Sequence, residues 1–261
     1  MMRLELDTKR IDLWCAFPAE ITDESLLQTY RDLLSDEERV QQQRFYFAKD
    51  RQRYLVTRVL ARTVLSRYGS VAPEQWVFAA NAYGKPHINF GTGLDKKISF
   101  NITHADNLII IAVTCDHALG LDTENNQDRS ISQDLAEHSF APEEVVDFCA
   151  QPADQQQQRF FEYWTLKESY IKARGMGLSI PLQQFSFSFP REDEIALALA
   201  PELNDTPARW RFWQFKMAGN YLVALCAEKV EPEPPSLIFK QVVPLVSEQE
   251  IDYQLLRVNA A

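Results

Sequence analysis

Several features that define common protein classes are scarce or missing in this chain of 261 residues. Its four cysteines are scattered and form no Cys-x-x-Cys pair, which argues against a zinc site or a disulfide framework. A reduced, cytoplasmic protein is therefore the default expectation. The longest apolar run, Leu108 to Val113, is far too short to span a bilayer, and the first residues lack the apolar stretch of a signal peptide. We therefore expect no membrane association.

Motifs of nucleotide-binding and nucleic-acid-binding proteins are missing as well. No Gly-x-x-x-x-Gly-Lys occurs, and Gly175 with Gly177 is too short a pattern for a dinucleotide fingerprint. The net charge of −10 argues against nucleic acid as the main partner. The positive charge is nevertheless concentrated, because eight basic residues and a single acid lie between Arg39 and Arg67.

The patterning of apolar residues predicts a mixed chain of helices and strands. A strand is expected over 11–17, a helix from a cap at Thr22 or Asp23 to Leu34, a second helix opened by the capping box Ser35–Glu38, and a long helix from Lys49 to Tyr68. Strands are then expected near 76–79, 97–103, 108–114 and 118–124, helices near 131–139, 142–150 and 155–173, and strands near 184–189, 209–216 and 220–228.

Two stretches of the chain carry candidate chemistry. In the first, Gly120-Leu121-Asp122-Thr123-Glu124, a buried strand ends in acids, and residues two apart on a strand project from the same face. Two ionised carboxylates at that separation repel each other unless a cation lies between them or one is protonated. In the second stretch, Tyr163 to Gly177, Glu168 and Lys172 share one face of a helix. Glu168 could add a third oxygen ligand, and such an open carboxylate site suits Mg²⁺.

Each of these stretches also has an ordinary structural interpretation. Glu168 and Lys172 alone would be a surface pair worth only a few tenths of a kcal/mol. Asp122 and Glu124 could be a solvated strand end, an interpretation that we place below a metal site. A lone His104 is more often a satisfied interior histidine than a ligand.

Together with two further patches, the stretches resemble a known family. The patches are Tyr83-Gly84-Lys85-Pro86 and Phe100-Asn101-Ile102-Thr103-His104. With Gly-Leu-Asp-Thr-Glu and Trp-Thr-Leu-Lys-Glu-Ser-Tyr-Ile-Lys, they are similar to the signature of the 4'-phosphopantetheinyl transferases of the long, Sfp-type group. All four occur in the family's order, over about residues 10 to 230.

The resemblance implies an α+β fold of two pseudo-symmetric halves, each a small, mostly antiparallel sheet with packed helices, and an active site at their interface. The N-terminal half would be residues 1–117, with the coenzyme A nucleotide side and the basic helix. The C-terminal half would be 118–230, with the metal and catalytic residues. Residues 231–261 begin with a linker rich in Pro and Glu and form an extension to which the sequence assigns no role.

The resemblance also implies the reaction. The phosphopantetheine arm of coenzyme A would move onto a serine of an apo acyl or peptidyl carrier protein, with release of 3',5'-ADP. Asp122, Glu124 and Glu168 match the family's Mg²⁺ ligands. Glu144 matches its proposed general base, acting directly or through a water, although the neighbouring Glu143 could take that place and a helix N-terminus also favours an acid there. Lys172 matches the lysine that neutralises or protonates the departing phosphate.

Other matching positions would bind coenzyme A. The turn Gly84, Lys85 and Pro86 matches the family's nucleotide-side loop, and Thr103 with His104 matches an Asn-Ile-Ser-His patch that contacts the nucleotide phosphate. Thr replaces Ser there and keeps the hydroxyl group. Glu38 and Gln41 stand where some members place a cation for the 3'-phosphate. Arg53, or alternatively Arg44, would take over that contact.

Two other functions would use the same residues. One is a non-catalytic module that binds coenzyme A or a carrier protein, and the other is metal-dependent phosphoester hydrolysis. The chain retains the three acids Asp122, Glu124 and Glu168 and both lysines, which argues against a binding module. The Lys-Glu-x-x-x-Lys patch and the Tyr-Gly-Lys-Pro turn argue against phosphoester hydrolysis. Since both halves belong to one chain, we expect a monomer.

The basic segment suggests a further hypothesis. Arg51, Arg58 and Arg62 fall within about 40° of one another on a helix, with no acid at i+4. Carrier proteins are generally acidic, so a local positive surface in an acidic enzyme could capture them. The hypothesis is that Arg58 and Arg62 help to dock the carrier protein.

Overall fold

The computed structural model describes residues 4–89, 97–125 and 131–259. In chain order the helices and strands are β1 (Arg10–Ala16), α1 (Glu24–Asp32), α2 (Asp36–Gln43), α3 (Ala48–Leu65), β2 (Phe78–Ala80), β3 (Pro86–Ile88), β4 (Ile98–Ala105), β5 (Leu108–Cys115), β6 (Leu119–Asn125), α4 (Gln133–Ser139), α5 (Pro142–Ala150), α6 (Ala153–Arg174), β7 (Phe185–Ser188), β8 (Glu194–Leu199), β9 (Trp210–Met217), β10 (Tyr221–Glu228), β11 (Ser236–Val243), β12 (Ser247–Glu250) and β13 (Tyr253–Asn259). They form two compact units. Unit 1 comprises the chain up to Ala79, Pro86–Asp116 and Pro235–Ile251, and unit 2 comprises Ala80–Lys85, His117–Pro234 and the chain from Asp252.

Unit 1 is built on a five-stranded sheet in the order β12-β11-β1-β5-β4. Only the pair β1–β11 is parallel; the other neighbours are antiparallel. Every residue of β5 is buried, as its apolar sequence predicts for a central strand. Helix α3 packs against β1 and β5 through Leu55, Val59 and other apolar residues.

Local capping chemistry starts the first two helices of unit 1 where the sequence predicts. The side chain of Asp23 accepts hydrogen bonds from the amides of Ser25 and Leu26 at the start of α1. At α2 the hydroxyl of Ser35 accepts from the amide of Glu38, and the carboxylate of Glu38 accepts from the amide of Ser35. This reciprocal pair is the predicted capping box.

The structure does not support carrier docking by the arginine stripe of α3. The side chain of Arg62 is only 3% exposed, and its Nη2 lies 2.8 Å from Oε2 of Glu38. Arg58 pairs with Oε1 of the same carboxylate. The missing acid is therefore supplied by α2 and not by α3 itself, which a search for acids at i+4 could not detect. Glu38, placed where some relatives carry a cation, is the shared partner of both arginines.

Unit 2 is built on a six-stranded sheet in the order β6-β10-β9-β13-β8-β7. Its pairs are antiparallel apart from the short parallel contact of β13 with β8. The 22-residue helix α6 packs against β6 and β10 and ends at Gly175, whose φ of 66° is the left-handed conformation that glycine adopts most readily. Aromatic side chains dominate the core beneath it, among them Tyr170, Phe185, Trp210 and Phe212.

The C-terminal segment, to which the sequence assigned no role, contributes strands to both units. In unit 1, β11 pairs with β1 and β12 pairs with β11. In unit 2, β13 lies between β9 and β8. Arg257 of β13 lies 3.1 Å from Oε1 of the buried Glu162 of α6 and also donates to Gln214. The extension is therefore part of both sheets.

The predicted α+β class, with a mostly antiparallel sheet and packed helices in each unit, is confirmed. The first unit boundary falls at Asp116 and His117, next to the expected one, but residues Ala80–Lys85 group with unit 2. Pseudo-symmetry of the halves and an active site at their interface stay predictions. None of the described helices is both long and apolar enough to cross a membrane.

Candidate active site

The strand β6 and the helix α6 form the frame of the candidate site in unit 2. Their backbones approach so closely that a Cβ atom at Gly120 would lie 1.9 Å from the carbonyl oxygen of Ser169 and 2.3 Å from the amide nitrogen of Ala173. Only glycine fits there without displacing α6. The approach brings the acids of β6 next to the last turns of α6.

The acids and the lysine predicted from the two motifs partly meet in this frame. The ammonium group of Lys172 lies 2.6 Å from Oδ1 of Asp122, which is buried. Burial, and then the negative charge of Asp122, raises the pKa of Glu168, and Lys172 opposes the shift. Glu124 is half-buried two residues beyond Asp122 on the same strand. The site therefore combines the ion pair of Asp122 and Lys172 with a second acid, Glu168, that is close enough to interact with both charges.

The donor set of this cluster fits Mg²⁺ in its chemistry. Carboxylate oxygens of Asp122, Glu124 and Glu168 are ligands of the type that Mg²⁺ prefers, and the repulsion between Asp122 and Glu168 is what a bound cation would relieve. Within the described ranges, no three His, Cys, Asp or Glu side chains are grouped closely enough to hold an ion as they stand. Lys172 instead provides the positive charge next to Asp122.

The structure places Glu144 inside unit 2. Its side chain is 0% exposed, as is that of Lys167, whose Nζ lies 2.7 Å from Oε2 of the glutamate. The Glu144 carboxylate also accepts hydrogen bonds from the amides of Ala141 and Phe187. Burial raises the pKa of Glu144 and lowers that of Lys167, each against the attraction of the other.

Glu143 lies in a different environment from its neighbour. It is exposed in the first turn of α5. A side-chain hydrogen bond with Ser186 is the main cause that lowers its pKa. The carboxylate of Glu143 therefore faces solvent, whereas that of the adjacent Glu144 is buried and paired with Lys167.

The turn Asn81 to Lys85 is bonded to the frame. Asn81 accepts from the amides of Tyr83 and Lys85 and donates to the carbonyl of Gly175, and Gly84 has a φ of 86°. The ammonium group of Lys85 lies 2.8 Å from the carbonyl oxygen of Leu119 and 3.5 Å from that of Ala173. Burial lowers the pKa of Lys85 to about 8. Pro86 follows, exposed, as the first residue of β3 in unit 1.

The other residues expected to bind coenzyme A lie in unit 1. Thr103 is buried and His104 is exposed near the end of β4. Arg53, on the second turn of α3, lies 2.8 Å from Oδ1 of Asp50 and is 29% exposed. Arg44, the alternative to Arg53, follows α2 and donates to Gln41. His104, Arg53 and Arg44 therefore keep polar groups at the surface of unit 1, whereas Thr103 does not.

Sequence reasoning missed two residues that organise the frame. Lys167 stands between Leu166 and Glu168 in the recognised motif, but its buried role depends on partners 15 or more residues away. Asn81 precedes the recognised turn, and its Asx-type bonds to the amides two and four residues on were a local signal that could have identified it.

Comparisons with known proteins identify the family of the chain. The model described as the 4'-phosphopantetheinyl transferase superfamily matches residues 118–226, and the model described as 4'-phosphopantetheinyl transferase, N-terminal, matches residues 22–116. The 4'-phosphopantetheinyl transferase HetI of Nostoc sp. is 31% identical over 226 residues, 85% of this chain and 89% of HetI. The 4'-phosphopantetheinyl transferase Sfp of Bacillus subtilis is 30% identical over 224 residues, 86% of this chain and 92% of Sfp.

Among solved structures, the holo-[acyl-carrier-protein] synthase of Thermotoga maritima resembles part of the chain. The match covers 44% of this chain and 64% of that one, with 16% identity and a TM-score of 0.34, which is too low to support a conclusion. The relatives that match along most of their length, and the two family models that together reach from residue 22 to 226, do support one. The chain belongs to the 4'-phosphopantetheinyl transferase superfamily, in its Sfp-type group.

Proposed function

We propose that the protein transfers the 4'-phosphopantetheine arm of coenzyme A to a serine of an apo acyl or peptidyl carrier protein, in a Mg²⁺-dependent reaction that releases 3',5'-ADP. The observation that carries the proposal is the placement of Asp122 and Lys172 in contact, with Glu168 one helical turn away. Acids placed in this way, next to a partly exposed lysine, can accept a divalent ion while the lysine presents its ammonium group to a phosphate. The names of the relatives support the same reaction.

In this proposal Asp122, Glu124 and Glu168 would hold the Mg²⁺ ion, which supplies positive charge to the pyrophosphate of coenzyme A. Lys172 is 28% exposed and can leave Asp122 for a negatively charged oxygen. It would then neutralise or protonate the departing phosphate. The chain's own contribution is to hold these groups on a rigid strand and helix, so that little reorganisation is needed during transfer.

We propose that the general base is one of two neighbouring glutamates, Glu143 or Glu144. The resemblance implies Glu144, but a base must come within hydrogen-bond reach of the serine hydroxyl, directly or through one water. The burial of Glu144 and its bonds to Lys167, Ala141 and Phe187 favour a positioning role for its carboxylate. The exposure of Glu143 favours that residue as the proton acceptor.

Coenzyme A is proposed to contact Arg53, Thr103 and His104 and the backbone of the turn formed by Gly84, Lys85 and Pro86. The exposed His104 and the partly exposed Arg53 can offer donors to phosphate oxygens, and Arg53 would exchange Asp50 for the ligand. The exposed turn at Gly84 and Pro86 can offer backbone groups. We further propose that the protein works as a cytoplasmic monomer, which light scattering at micromolar concentration would test; a stable dimer would contradict it.

Mass spectrometry of an apo carrier protein tests the function. The carrier is incubated with the protein, coenzyme A and Mg²⁺, and the expected result is a gain of the phosphopantetheine arm that disappears with EDTA and returns with excess Mg²⁺. An unchanged carrier, with coenzyme A bound in calorimetry, would indicate a binding module instead. Release of free phosphate without modification of the carrier would indicate hydrolysis. Full transfer in EDTA would contradict the role of the three carboxylates.

A further inference from the structure

The side chain of Lys85 is partly buried, and its ammonium group is bonded within unit 2. Its ammonium group donates to the carbonyl oxygen of Leu119 at 2.8 Å and lies 3.5 Å from that of Ala173. Leu119 is the first residue of β6, and Ala173 is the penultimate residue of α6. One cation therefore bridges the start of the strand and the end of the helix that carry the candidate active site.

The chemistry of a helix C-terminus favours this contact. The last carbonyl groups of α6 have no amide partner within the helix, and the helix dipole places partial negative charge there. The side-chain amide of Asn81 donates to a further carbonyl, that of Gly175 just beyond the end of α6, at 2.7 Å. The Oδ1 atom of Asn81 accepts from the amide of Lys85, which fixes the turn from which the lysine side chain extends.

The bridge lies beside the closest approach of the two backbones. Gly120 directly follows Leu119, and its missing Cβ is what lets Ala173 come so near. Lys172 precedes Ala173, and Asp122 lies two residues beyond Gly120. A change in the distance between Leu119 and Ala173 would therefore also change the distance between Lys172 and Asp122.

From this geometry we propose that Lys85 is a positioning residue, whose ammonium group ties β6 to α6 and so sets the spacing of Asp122, Glu168 and Lys172. The proposal rests on the proposed function for its catalytic meaning, and it gives the lysine side chain a role other than contact with the nucleotide. The backbone of the turn stays free to face coenzyme A. The bridge itself exists whether or not the protein transfers phosphopantetheine.

The test compares Lys85→Met with Lys85→Arg and with Lys216→Met, an exposed lysine of β9 in the same unit. Mn²⁺, as a spectroscopic substitute for Mg²⁺, is titrated into each protein and followed by electron paramagnetic resonance. Hydrogen exchange is measured for the peptides that contain residues 119–123 and 168–175. Transfer kinetics give kcat, KM for coenzyme A and the Mg²⁺ concentration for half-activation.

For Lys85→Met we expect about tenfold weaker Mn²⁺ binding, faster exchange at the end of α6, a lower kcat and an unchanged KM for coenzyme A. Lys85→Arg keeps the charge and the donors, so it should restore most of the binding, and Lys216→Met should behave as wild type. A raised KM for coenzyme A with unchanged Mn²⁺ binding and exchange would overturn the proposal in favour of a nucleotide contact. No change in any of these quantities would also overturn it.

The outcomes separate this inference from the proposed function. If the wild-type protein transfers nothing but Lys85→Met still weakens Mn²⁺ binding and loosens α6, the positioning role stands and the function fails. If the wild type transfers and Lys85→Met leaves the ion affinity and exchange intact, the function stands and the positioning role fails. If Lys85→Met does not fold, as judged by circular dichroism, Lys85→Arg is compared with wild type instead. Weaker Mn²⁺ binding by Lys85→Arg with unchanged hydrogen exchange would then contradict the positioning role.

Discussion

Two buried ionic clusters, one in each unit, are composed of similar groups but balanced differently. In unit 1, Glu38 is shared by Arg58 and Arg62, and the surplus positive charge is met by neutral groups. Arg62 donates to the carbonyls of Pro73 and Trp76, and both guanidinium groups lie over the ring of Phe78. Burial would raise the pKa of Glu38, but the charge of Arg58 and hydrogen bonds from Ser35, Arg62 and Arg58 outweigh it and lower the pKa.

In the cluster of unit 2 the carboxylate pKa moves in the opposite direction. Asp122 pairs with Lys172, and the pKa of Glu168 is raised where that of Glu38 is lowered. Burial and the negative charge of Asp122 raise the pKa of Glu168, and the charge of Lys172 opposes the shift without cancelling it. A carboxylate whose pKa is lowered by its own arginines stabilises the fold, whereas an acid whose pKa is raised by a neighbouring acid would be favoured by a further cation.

The largest expected effect is on activity, from the unit 2 cluster. Asp122→Ala or Glu168→Ala should lower the rate of transfer by at least about 100-fold, because the loss of a ligand leaves the pyrophosphate charge poorly neutralised. Both variants should still fold, and the melting temperature of Glu168→Ala should stay level or rise, since that change removes an acid whose pKa is raised by burial and by Asp122. Mass spectrometry of the carrier and a thermal melt measure both quantities. Asp154→Ala, an exposed acid at the start of α6, is the matched control and should be neutral.

The second effect is on stability, from the unit 1 cluster. Glu38→Gln leaves two arginines without a counter-charge, one of them buried, and should lower the free energy of unfolding by about 3–5 kcal/mol. Urea denaturation measures it, with Asp36→Asn, an exposed acid of the same helix, as the control. By the same logic, Arg58→Glu with Arg62→Glu should unfold the protein. A stable double variant with a raised KM for the carrier would restore the docking hypothesis.

A third comparison separates Glu143 from Glu144. Glu144→Gln should lower the free energy of unfolding by about 2 kcal/mol, because it weakens a charged hydrogen bond to the buried Lys167. Glu143→Gln should leave stability unchanged and, if Glu143 is the base, lower kcat by about 100-fold or more. Both are measured as kcat and as urea midpoints. A large loss of kcat in a fully folded Glu144→Gln variant, with Glu143→Gln active, would assign the base to Glu144.

The smallest effect concerns an exposed counterpart of these clusters, Glu248 of β12 with Arg67 and Lys240. The hydrogen bond with Arg67 is the main cause that lowers the pKa of Glu248 to about 2. A depressed pKa stabilises the folded state above the ordinary carboxyl value, and this contribution is lost as the pH falls toward 2. Solvent screening keeps it below about 1 kcal/mol. Urea midpoints at pH 6 and pH 3 should differ less in Glu248→Gln than in wild type, and an equal difference would contradict the assignment.

The sequence predicted what local periodicity and capping determine. The starts of α1 and α2, the buried strand β5 and the shared face of Asp122 and Glu124 follow from chemistry within a few residues. The strands β3, β8, β12 and β13 were missed or left without a role. β3, β8 and β12 each pair with the strand just before them in the chain, so they were missed because their local patterns are weak, whereas the partners of β13 lie far away in the sequence. All four residues of β12 are exposed, so the strand has no alternation to detect.

The candidate site also has features that the sequence predicted and features that it could not predict. The two motifs placed the acids and Lys172 on a strand and a helix, and resemblance supplied their roles. The sequence could not show that Glu144 is enclosed with Lys167, or that Lys85 reaches two carbonyls, because both facts depend on which segments meet in space. Arg62 was misread for the same reason, since its partner comes from another helix.

The position of the C-terminal strands has a consequence for how the chain acquires its structure during synthesis. Strand β1 leaves the ribosome before the other described strands of its sheet, yet its parallel neighbour β11 is made only after the whole of β2 to β10. The gap between β9 and β8 is likewise closed only when β13 emerges. Pairings so far apart in sequence form slowly, and until they form the open edge of β1 can pair with other chains. The nascent protein therefore passes through a long interval in which both sheets are incomplete.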